Sequence, residues 1–393
     1  MKLKIKKEFV YIAIFSIGLL IIISILLHDY LQGKLSHYGF CDKACLLLGG
    51  IFAIIGLVLF ILERYKIYER KGFFSVRVNL FQACLVSVLF AFTCGISGIV
   101  YSYYSFSPAG AATREWTIGI YKSLSQEPFN FMEKDVVNPV LTASDVSDVP
   151  AKRVADPFLI RDGDMYYMFF EVDNVRTNQG DIGLAISKDG ENWSYSQIVL
   201  DERFHLSYPC VFKWQDEYYM IPESAEVKSI RLYKGEQFPY RWSFVKTLLE
   251  GMDFVDSTIF YYGESWWLFT ETGNDDTLRL YYAATPLGPW TEHPKSPIVQ
   301  GDANIARPGG MVIVFDNRVV RYTQDCVPYY GNQVWAFEIV TLTKELYEEK
   351  RVSDRPILKG FDDWNTGGMH HISLCKVDVN NWIAAVDGTA KGF

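Results

Sequence analysis

The chain has 393 residues, of which 16% are aromatic, including 10 Trp and 25 Tyr. Its charge is unevenly divided: residues 1–107 hold 11 basic and 5 acidic side chains (+6), and the remainder holds 27 basic and 41 acidic ones (−14). An acidic globular part excludes nucleic acid as a partner, because phosphate binding needs clustered Lys and Arg. The length accommodates a membrane segment followed by one large domain or two smaller ones.

Three apolar stretches open the chain, at residues 10–27, 44–62 and 80–104. Each is about long enough to cross the ~30 Å hydrocarbon core as a helix. No small-residue cleavage site follows the first stretch, so it differs from a signal peptide. We therefore expect residues 1–107 to form an uncleaved membrane anchor of three transmembrane α-helices, with the lipid bilayer as a partner.

Basic residues predict how this anchor is oriented. Lysines crowd the N-terminus, and five basic residues lie between the second and third stretches, whereas the first loop has only Lys34 and Lys43. The N-terminus is therefore expected in the cytoplasm. The third helix would then deliver the rest of the chain to the extracytoplasmic (or lumenal) side.

A hairpin motif whose first and last residues are fifteen positions apart then recurs along the chain. A polar residue opens a short apolar strand, a polar turn follows, and a second, aromatic strand ends in Glu. The three clear copies run from Asp156 to Glu171, from Tyr208 to Glu223 and from Asp256 to Glu271. Looser copies open at Arg307 and at His370-His371. Repetition at about fifty-residue spacing is typical of a β-propeller.

A second pattern, an apolar strand followed by Trp, predicts the outer strands of each blade. Four copies follow the inner hairpins, and the fifth stands at the other end of the domain. We expect strands at about 114–131 to complete the blade begun by 370–387, which removes exposed strand edges. Residues 112–393 are thus predicted to form an all-β five-bladed β-propeller, with the charged stretch 343–354 as an insertion between strands.

The polar openers should converge, because the first strand of each propeller blade lines the central channel. They are Asp156, Tyr208, Asp256, Arg307 and His370 or His371. Charged and polar side chains of this kind are unusual in an apolar core, and together they are typical of a binding or catalytic site. Among the Glu residues that end the motif, Glu223 follows a rigid Pro and is the candidate to point inward, whereas Glu171 and Glu271 are expected to be structural. Gln324 lies near the same level on blade four.

The Asp156-Pro157 opener, the Asp256 opener two blades later and the five-bladed ring resemble the arabinanase and xylosidase-type glycosidases of family 43. This resemblance implies that Asp156 is a general base and that Asp256 tunes the pKa of the site. The family takes its acid from a later blade, where this chain has Arg307, so Glu223 would serve instead. The implied catalytic residues are Asp156, Glu223 and Asp256.

A closer likeness covers nearly all of residues 112–393. It is carried by Ala155-Asp156-Pro157-Phe158, Tyr219-Met220-Ile221-Pro222-Glu223-Ser224, Trp266-Trp267-Leu268-Phe269, Arg307-Pro308-Gly309-Gly310 and His370-His371. These motifs resemble the propeller that lies N-terminal to the transferase domain of glucosamine inositolphosphorylceramide transferases. The resemblance assigns sugar transfer in those enzymes to the second domain, which we do not expect in this chain.

Two hypotheses for function remain open. The first is a carbohydrate-active enzyme, glycosidase-like or related to glycosyl transfer, that acts on a cell-surface polysaccharide or glycolipid. Substrate would be bound by Tyr208, Arg307, Gln324, His370 and His371, and Arg307 with the histidines suggests a phosphate or uronate on it. The second is a non-catalytic glycan-binding module that accompanies membrane glycan-assembly enzymes, favoured by the missing blade-four acid.

We expect no cofactor and no metal site. Asp162-Gly163-Asp164 has the spacing of a metal motif, but it lies where a hairpin turn is predicted, and Asp-Gly is common in such turns. The expected partners are a glycan or glycolipid, the bilayer and other glycan-assembly proteins.

Overall fold

The computed structural model describes residues 115–123, 125–132 and 136–390. The chain divides into two units, Met1–Tyr104 and Ser105–Phe393, and the described residues all belong to the second. The three predicted transmembrane helices lie outside the described residues. Within the described ranges, no helix is both long and apolar enough to cross a bilayer.

The described residues are almost entirely β-structure, as their aromatic and β-branched content favours. In chain order the strands are β1 (Trp116–Ser123), β2 (Ala151–Asp162), β3 (Met165–Asn174), β4 (Gln179–Ser187), β5 (Ser194–Leu200), β6 (Ser207–Trp214), β7 (Glu217–Glu223), β8 (Ser229–Gln237), β9 (Arg241–Glu250), β10 (Val255–Tyr262), β11 (Ser265–Glu271), β12 (Thr277–Ala283), β13 (Thr291–Glu292), β14 (Val299–Gln300), β15 (Ile313–Phe315), β16 (Arg318–Asp325), β17 (Gln333–Leu342), β18 (Tyr347–Arg351), β19 (Leu358–Lys359), β20 (Ile372–Lys376) and β21 (Trp382–Thr389). Two single-turn 3-10 helices, Ala143–Asp145 and Ala225–Val227, lie between strands.

These strands form five antiparallel sheets, the blades of the predicted five-bladed propeller. Blade one is β2 to β5, blade two is β6 to β9, blade three is β10 to β14, blade four is β15 to β19, and blade five is β20, β21 and β1. Residues 343–354 are not an insertion, because β18 lies within them and pairs with β17 as an outer strand of blade four.

The ring is closed by strands from the two ends of the domain. In blade five, β1 pairs antiparallel with β21, and Trp116 lies opposite Thr389. Main-chain bridges from Leu141 and Met132 cover the other edge of β1, at Ile118 and Lys122. The blade that begins near the C-terminal end of the domain is therefore completed from its N-terminal end.

Apolar side chains fill the interfaces between neighbouring blades. Five clusters are present in the described residues, one for each of the five interfaces around the ring. Between blades one and two, for example, Phe169 packs in a cluster with Tyr218 and Met220. Burying each such side chain contributes about 1.5–3 kcal/mol, so the blades stabilise one another and hold the openers in place.

The first three openers share an uncommon backbone. Asp156, Tyr208 and Asp256 have φ of 53°, 44° and 48°, the left-handed region. The register between the first two strands of their blades shifts at each, which marks a β-bulge. A bulge removes the opener's N–H from the strand ladder, so this buried donor needs another acceptor. In blade four Gly310 takes φ 133°, where a Cβ would lie 1.8 Å from the Ile372 carbonyl oxygen.

Candidate functional site

The openers of all five blades meet in one network of hydrogen bonds and ion pairs. Side chains from blades five and one form its first half, which we call the imidazole half: Asp156, His370 and Asp387. Side chains from blades two, three and four form the second, the guanidinium half: Glu223, Asp256, Asp275, Arg307 and Gln324. The predicted site residues are thus brought together by the ring.

In the imidazole half, one histidine lies between two carboxylates. His370 Nε2 is 3.1 Å from Asp156 Oδ1, and its Nδ1 is 3.0 Å from Asp387 Oδ1. Asp387 also accepts the backbone N–H groups of Asp156, His370 and His371, at 3.0, 3.2 and 3.0 Å. All of these groups are buried. Asp387 therefore holds the bulged opener of blade one as well as the His370 ring.

In the guanidinium half, one arginine lies between two carboxylates. Arg307 Nε donates to Asp256 Oδ2 at 2.6 Å, and Nη1 donates to Asp275 Oδ1 at 2.6 Å. Gln324 Nε2 donates to the same Asp256 oxygen at 2.8 Å. Asp256 is almost inaccessible, whereas Asp275 is about one-third exposed, so this half reaches the surface.

Two predicted substrate-binding residues face the core of the ring. The Tyr208 hydroxyl donates to the Gly310 carbonyl at 2.9 Å and accepts the Gly310 N–H at 2.8 Å. The His371 ring packs against Phe158 and Tyr208, with ring centroids 4.8 and 5.1 Å away. Neither residue has an exposed side chain. Their geometry favours a role in supporting Asp156, whose Oδ2 accepts the Tyr208 N–H at 3.3 Å and whose Oδ1 lies 3.6 Å from His371 Nδ1.

Carboxylates at the ends of the second strands anchor the next blade. Glu223 Oε2 accepts the N–H of Asp256, the bulged opener of blade three, at 3.1 Å. Asp387, at the end of β21, does the same for Asp156. Glu171 instead faces His205, whose Nε2 is 3.5 Å from its Oε1. The oxygen Oε1 of Glu271 is buried and has no hydrogen-bond partner among the described residues.

Burial and charge separate the pKa values of these carboxyl groups. Burial alone would raise the pKa of Asp156, but the hydrogen bond from His370 and the charges of His370, His371 and Arg307 lower it to about 2. Burial would likewise lower the pKa of His370, yet Asp387 and Asp156 raise it to about 10. Asp156 and His370 are thus both ionised at neutral pH.

In the guanidinium half and its neighbours, the pKa values of the carboxyl groups are raised instead. Burial raises the pKa of Asp256 well above its usual range against the charge of Arg307, and Glu223 and Asp156 raise it further. Burial also raises the pKa of Glu223. For Glu171, burial and the Asp156 charge raise the pKa to about 8. For Glu271, burial against the Arg307 charge raises it to about 7.

One triad of the site offers metal-ligand atoms. Single ligand atoms of Asp156, His370 and Asp387 all lie within 4.8 Å of one another. The two carboxylates, however, contact different ring nitrogens of His370, at 3.1 and 3.0 Å, and an imidazole offers only one of its nitrogens to a given ion. Protonated His370 therefore supplies the positive charge that these carboxylates need.

Comparisons with known proteins agree with the fold. The family model for "Glucosamine inositolphosphorylceramide transferase 1, N-terminal" matches residues 114–389. Glucosamine inositolphosphorylceramide transferase 1 of Oryza sativa subsp. japonica is 38% identical over 296 residues, which cover 70% of this chain and 40% of the rice protein. Its counterpart in Arabidopsis thaliana is 36% identical over 301 residues, which cover 70% of this chain and 39% of that protein.

The chain belongs to this family. It spans about 40% of the length of these curated relatives. Among solved structures it is similar to Zg3597, a family 117 glycoside hydrolase of Zobellia galactanivorans (TM-score 0.45, 13% identity, 70% of this chain and 90% of that one). It is also similar to an exo-1,5-α-L-arabinanase from a bovine ruminal metagenomic library (TM-score 0.46, 15% identity, 62% of this chain and 90% of that one).

Sequence reasoning missed several residues of this family member's site. Asp387 ends the second strand of blade five five residues after Trp382, the same spacing as from Trp266 to Glu271, and this match was an available signal. Asp275 lies in a turn without any such repeat. Tyr330 stands 5.0 Å from the Arg307 guanidinium carbon and 5.2 Å from the His370 ring, and only the folded loop brings it there.

Proposed function

We propose that the propeller is a carbohydrate-active domain that acts on a cell-surface polysaccharide or glycolipid. The observation that supports this most strongly is that one network, joined by the Arg307–Asp256 and Glu223–Asp256 contacts, holds carboxyl groups whose pKa values are shifted in opposite directions. The pKa of Asp156 is lowered to about 2, whereas burial raises the pKa values of Glu223 and Asp256. Cleavage or transfer at a glycosidic bond needs one carboxylate and one carboxylic acid. The names of the curated relatives, glucosamine transferases that act on a glycolipid, are consistent with a glycan ligand.

In this proposal Asp156 is the general base and Glu223 the general acid. Glu223 is only partly buried, whereas Asp156 and Asp256 are buried, so Glu223 is the most accessible of the three. Burial raises the pKa of Glu223, and the charge of Arg307 and the hydrogen bonds with Asp256 oppose this rise. Arg307 and Gln324 hold Asp256 in position. Tyr208, His370 and His371 position Asp156 from the core side.

We also propose that residues 1–107 anchor this domain in a membrane beside other glycan-assembly proteins, with the N-terminus in the cytoplasm and the propeller extracytoplasmic or lumenal. Three apolar stretches and the distribution of Lys and Arg support this topology. Single cysteines introduced near either end, in a variant without native cysteines, test it. A membrane-impermeant thiol reagent should label only the C-terminal position in intact cells; labelling of the N-terminal position would contradict the topology.

A second candidate function is a non-catalytic glycan-binding module. It is favoured by the fact that Asp156 and Glu223 each accept the N–H of the next blade's opener, which is a structural task. The same network would then present a rigid polar surface to a sugar without reacting with it.

One experiment separates the two. The full chain in mild detergent is incubated with candidate surface polysaccharides and glycolipids, and both binding and product formation are measured. An enzyme should show turnover that falls at least about 100-fold in Asp156→Asn and in Glu223→Gln. Glu217→Gln, an exposed carboxyl outside the network, is the matched control and should be unaffected. Binding of a native glycan without turnover identifies the module. If the folded protein neither binds nor turns over any of the glycans, both proposals are contradicted.

A further inference from the structure

Most of the network is closed to a ligand that arrives from solvent. The side chains of Asp156, His370 and Asp256 are 8%, 3% and 3% exposed, and that of Arg307 is 16% exposed. A ligand therefore has to make its first contacts with groups at the surface of the network. Tyr330 is such a group, because it is 36% exposed and its ring lies beside both cations of the site.

The Tyr330 ring connects the imidazole half with the guanidinium half. The Arg307 guanidinium carbon lies over the ring, 5.0 Å from its centroid, and the centroid of the His370 ring is 5.2 Å away. Burial raises the pKa of the Tyr330 phenol well above its usual range against the charge of Arg307, and the charges of Asp156 and Asp256 raise it further. The hydroxyl therefore faces the network, and the exposed part of Tyr330 is left on the solvent side.

Hydrogen bonds to one buried carboxylate hold the loop that carries Tyr330. Asp325, at the end of β16, accepts the backbone N–H of Val327 at 3.0 Å. It also accepts the side-chain N–H groups of Gln333 and Trp335, at 2.8 and 3.2 Å. The two ends of the loop are thus fixed to the same residue of blade four.

Close packing on Trp116 restricts the loop further. A Cβ at Gly331 would lie 2.6 Å from Cη2 of the Trp116 ring, and one at Gly368 would lie 2.1 Å from the Gly331 carbonyl oxygen. The Trp116 ring, itself 4% exposed, meets the Tyr330 ring at 87° with centroids 6.3 Å apart. Because the loop is already held in place, a ligand that binds to it pays little entropy for ordering it.

We propose, resting on the glycan-directed function above, that Tyr330 is a ligand-contacting residue of this site and that a sugar ring packs against its exposed surface. A sugar ring has a face of C–H groups and a rim of hydroxyl groups. Tyr330 supplies an aromatic surface for that face. Asp275, which is 32% exposed and bound to the same Arg307, supplies a carboxylate acceptor for the hydroxyl groups. The buried network is then the support that fixes both contacts and orients the glycan.

Substitutions at Tyr330 test this contact. The probe is the glycan that the wild-type full chain in detergent binds most tightly, measured by calorimetric titration. The panel contains the candidate surface glycans above and the β-1,4-linked tetramers of glucose, galactose and N-acetylglucosamine. Tyr330→Ala should weaken binding of the probe at least about tenfold, whereas Tyr330→Phe, which keeps the ring, should stay within about threefold of the wild type.

Tyr261→Ala is the matched control for this series. Tyr261 is 53% exposed and lies on β10, the strand that carries Asp256, at the end away from that opener. Its removal should change the affinity for the probe by less than about twofold. Thermal melting of each variant shows whether it is folded.

A readout on the unsubstituted chain keeps the inference testable even if Tyr330→Ala does not fold. The chain is labelled with fluorotyrosine, and the fluorine NMR resonance that disappears in Tyr330→Phe is assigned to Tyr330. This resonance should shift when the probe is added, because a packed sugar ring changes the surroundings of the aromatic ring. The resonance of Tyr261, assigned in the same way with Tyr261→Phe, should not move.

The outcomes separate this inference from the proposed function. Unchanged affinity in folded Tyr330→Ala, or a Tyr330 resonance that does not move, overturns the inference and leaves a glycan-directed propeller standing. An equal loss of affinity in Tyr330→Phe overturns it as well, because the hydroxyl rather than the ring would then make the contact. If the wild-type chain binds no member of the panel, the proposed function is contradicted and the inference is lost with it.

Discussion

The imidazole half and the guanidinium half of the site are built alike and charged differently. In each, a carboxylate at the end of a second strand accepts the N–H of a bulged Asp from the next blade, and a cation lies between two carboxylates. His370 is enclosed by its partners, and Asp156 beside it has its pKa lowered to about 2. Burial raises the pKa of Asp256 against the charge of Arg307, and the charges of Glu223 and Asp156 raise it further.

The contrast shows that one backbone design can either lower or raise the pKa of the carboxyl group that it holds. The direction depends on burial and on the charged neighbours that the surrounding blades supply. The comparison can be tested by removing, in turn, the Asp387 acceptor, the arginine, the histidine and the buried Tyr208 hydroxyl.

The largest effect is expected from Asp387→Ala. This change leaves three buried backbone N–H groups without an acceptor and removes one partner of His370. The free energy of unfolding should fall by about 3–5 kcal/mol, measured by urea titration followed through Trp fluorescence. Asp363→Ala, an exposed carboxylate, is the control and should cost less than about 0.5 kcal/mol. A similar small loss for Asp387→Ala would contradict its anchoring role.

The next effect is expected from Arg307→Met, which leaves Asp256 buried without its cation. Unfolding free energy should fall by about 2–4 kcal/mol at pH 7. The loss should be smaller at pH 5, because protonated Asp256 needs no counter-charge. Adding Asp256→Asn should recover much of the stability, since a buried pair removed as a whole costs little. If the double variant is as unstable as the single one, the pair is not what Arg307 stabilises.

The pH dependence of stability should reveal His370. Its pKa is raised from 6.5 unfolded to about 10 folded, so its contribution is complete below pH 6.5 and disappears as the pH rises through 10. Asp156 works in the opposite direction: its contribution is complete above pH 3.8 and is lost as the pH falls through about 2. We expect the wild type to lose about 4 kcal/mol between pH 6.5 and 10 through this group. His370→Gln should flatten that part of the profile, and an unchanged slope would argue against a charged His370.

The smallest effect is expected from Tyr208→Phe, which removes a buried hydroxyl that links blade two to blades three and four. This hydroxyl bonds Thr258 at 2.8 Å and both main-chain groups of Gly310. Losing it should lower the free energy of unfolding by about 1–2 kcal/mol. Glycan binding should be affected less than by Glu223→Gln, because Tyr208 supports the site from the core. A larger effect on binding than on stability would place the phenol in contact with ligand.

Local patterns in the sequence were sufficient to predict much of the fold. The period-2 apolar strands, the Gly and Asp turns and the Trp-bearing outer strands each repeat within about fifty residues, so five blades and their permuted closure could be counted. Convergence of the openers follows from that architecture. The prediction that residues 343–354 form an insertion was wrong, because charged residues of this stretch form an exposed outer strand, where polar side chains are normal.

The chemistry of the site was less predictable. The polar character of Tyr208 and His371 suggested contact with ligand, yet the structure buries both beneath Asp156. The Asp387 carboxylate accepts the N–H of Asp156 and so anchors blade one, although the two residues are 231 positions apart in the sequence. A sequence pattern within one blade does not indicate which residues of another blade it will hydrogen-bond.

By itself, the sequence determined the repeated hairpin, the number of blades and the positions of the polar openers, because strand and turn preferences are local. Only the tertiary structure decided the protonation states of the buried carboxyl groups, through a pKa that is lowered at Asp156 and raised at Asp256. Those states depend on burial and on a few ångströms between groups from different blades, and such distances exist only once the ring has closed.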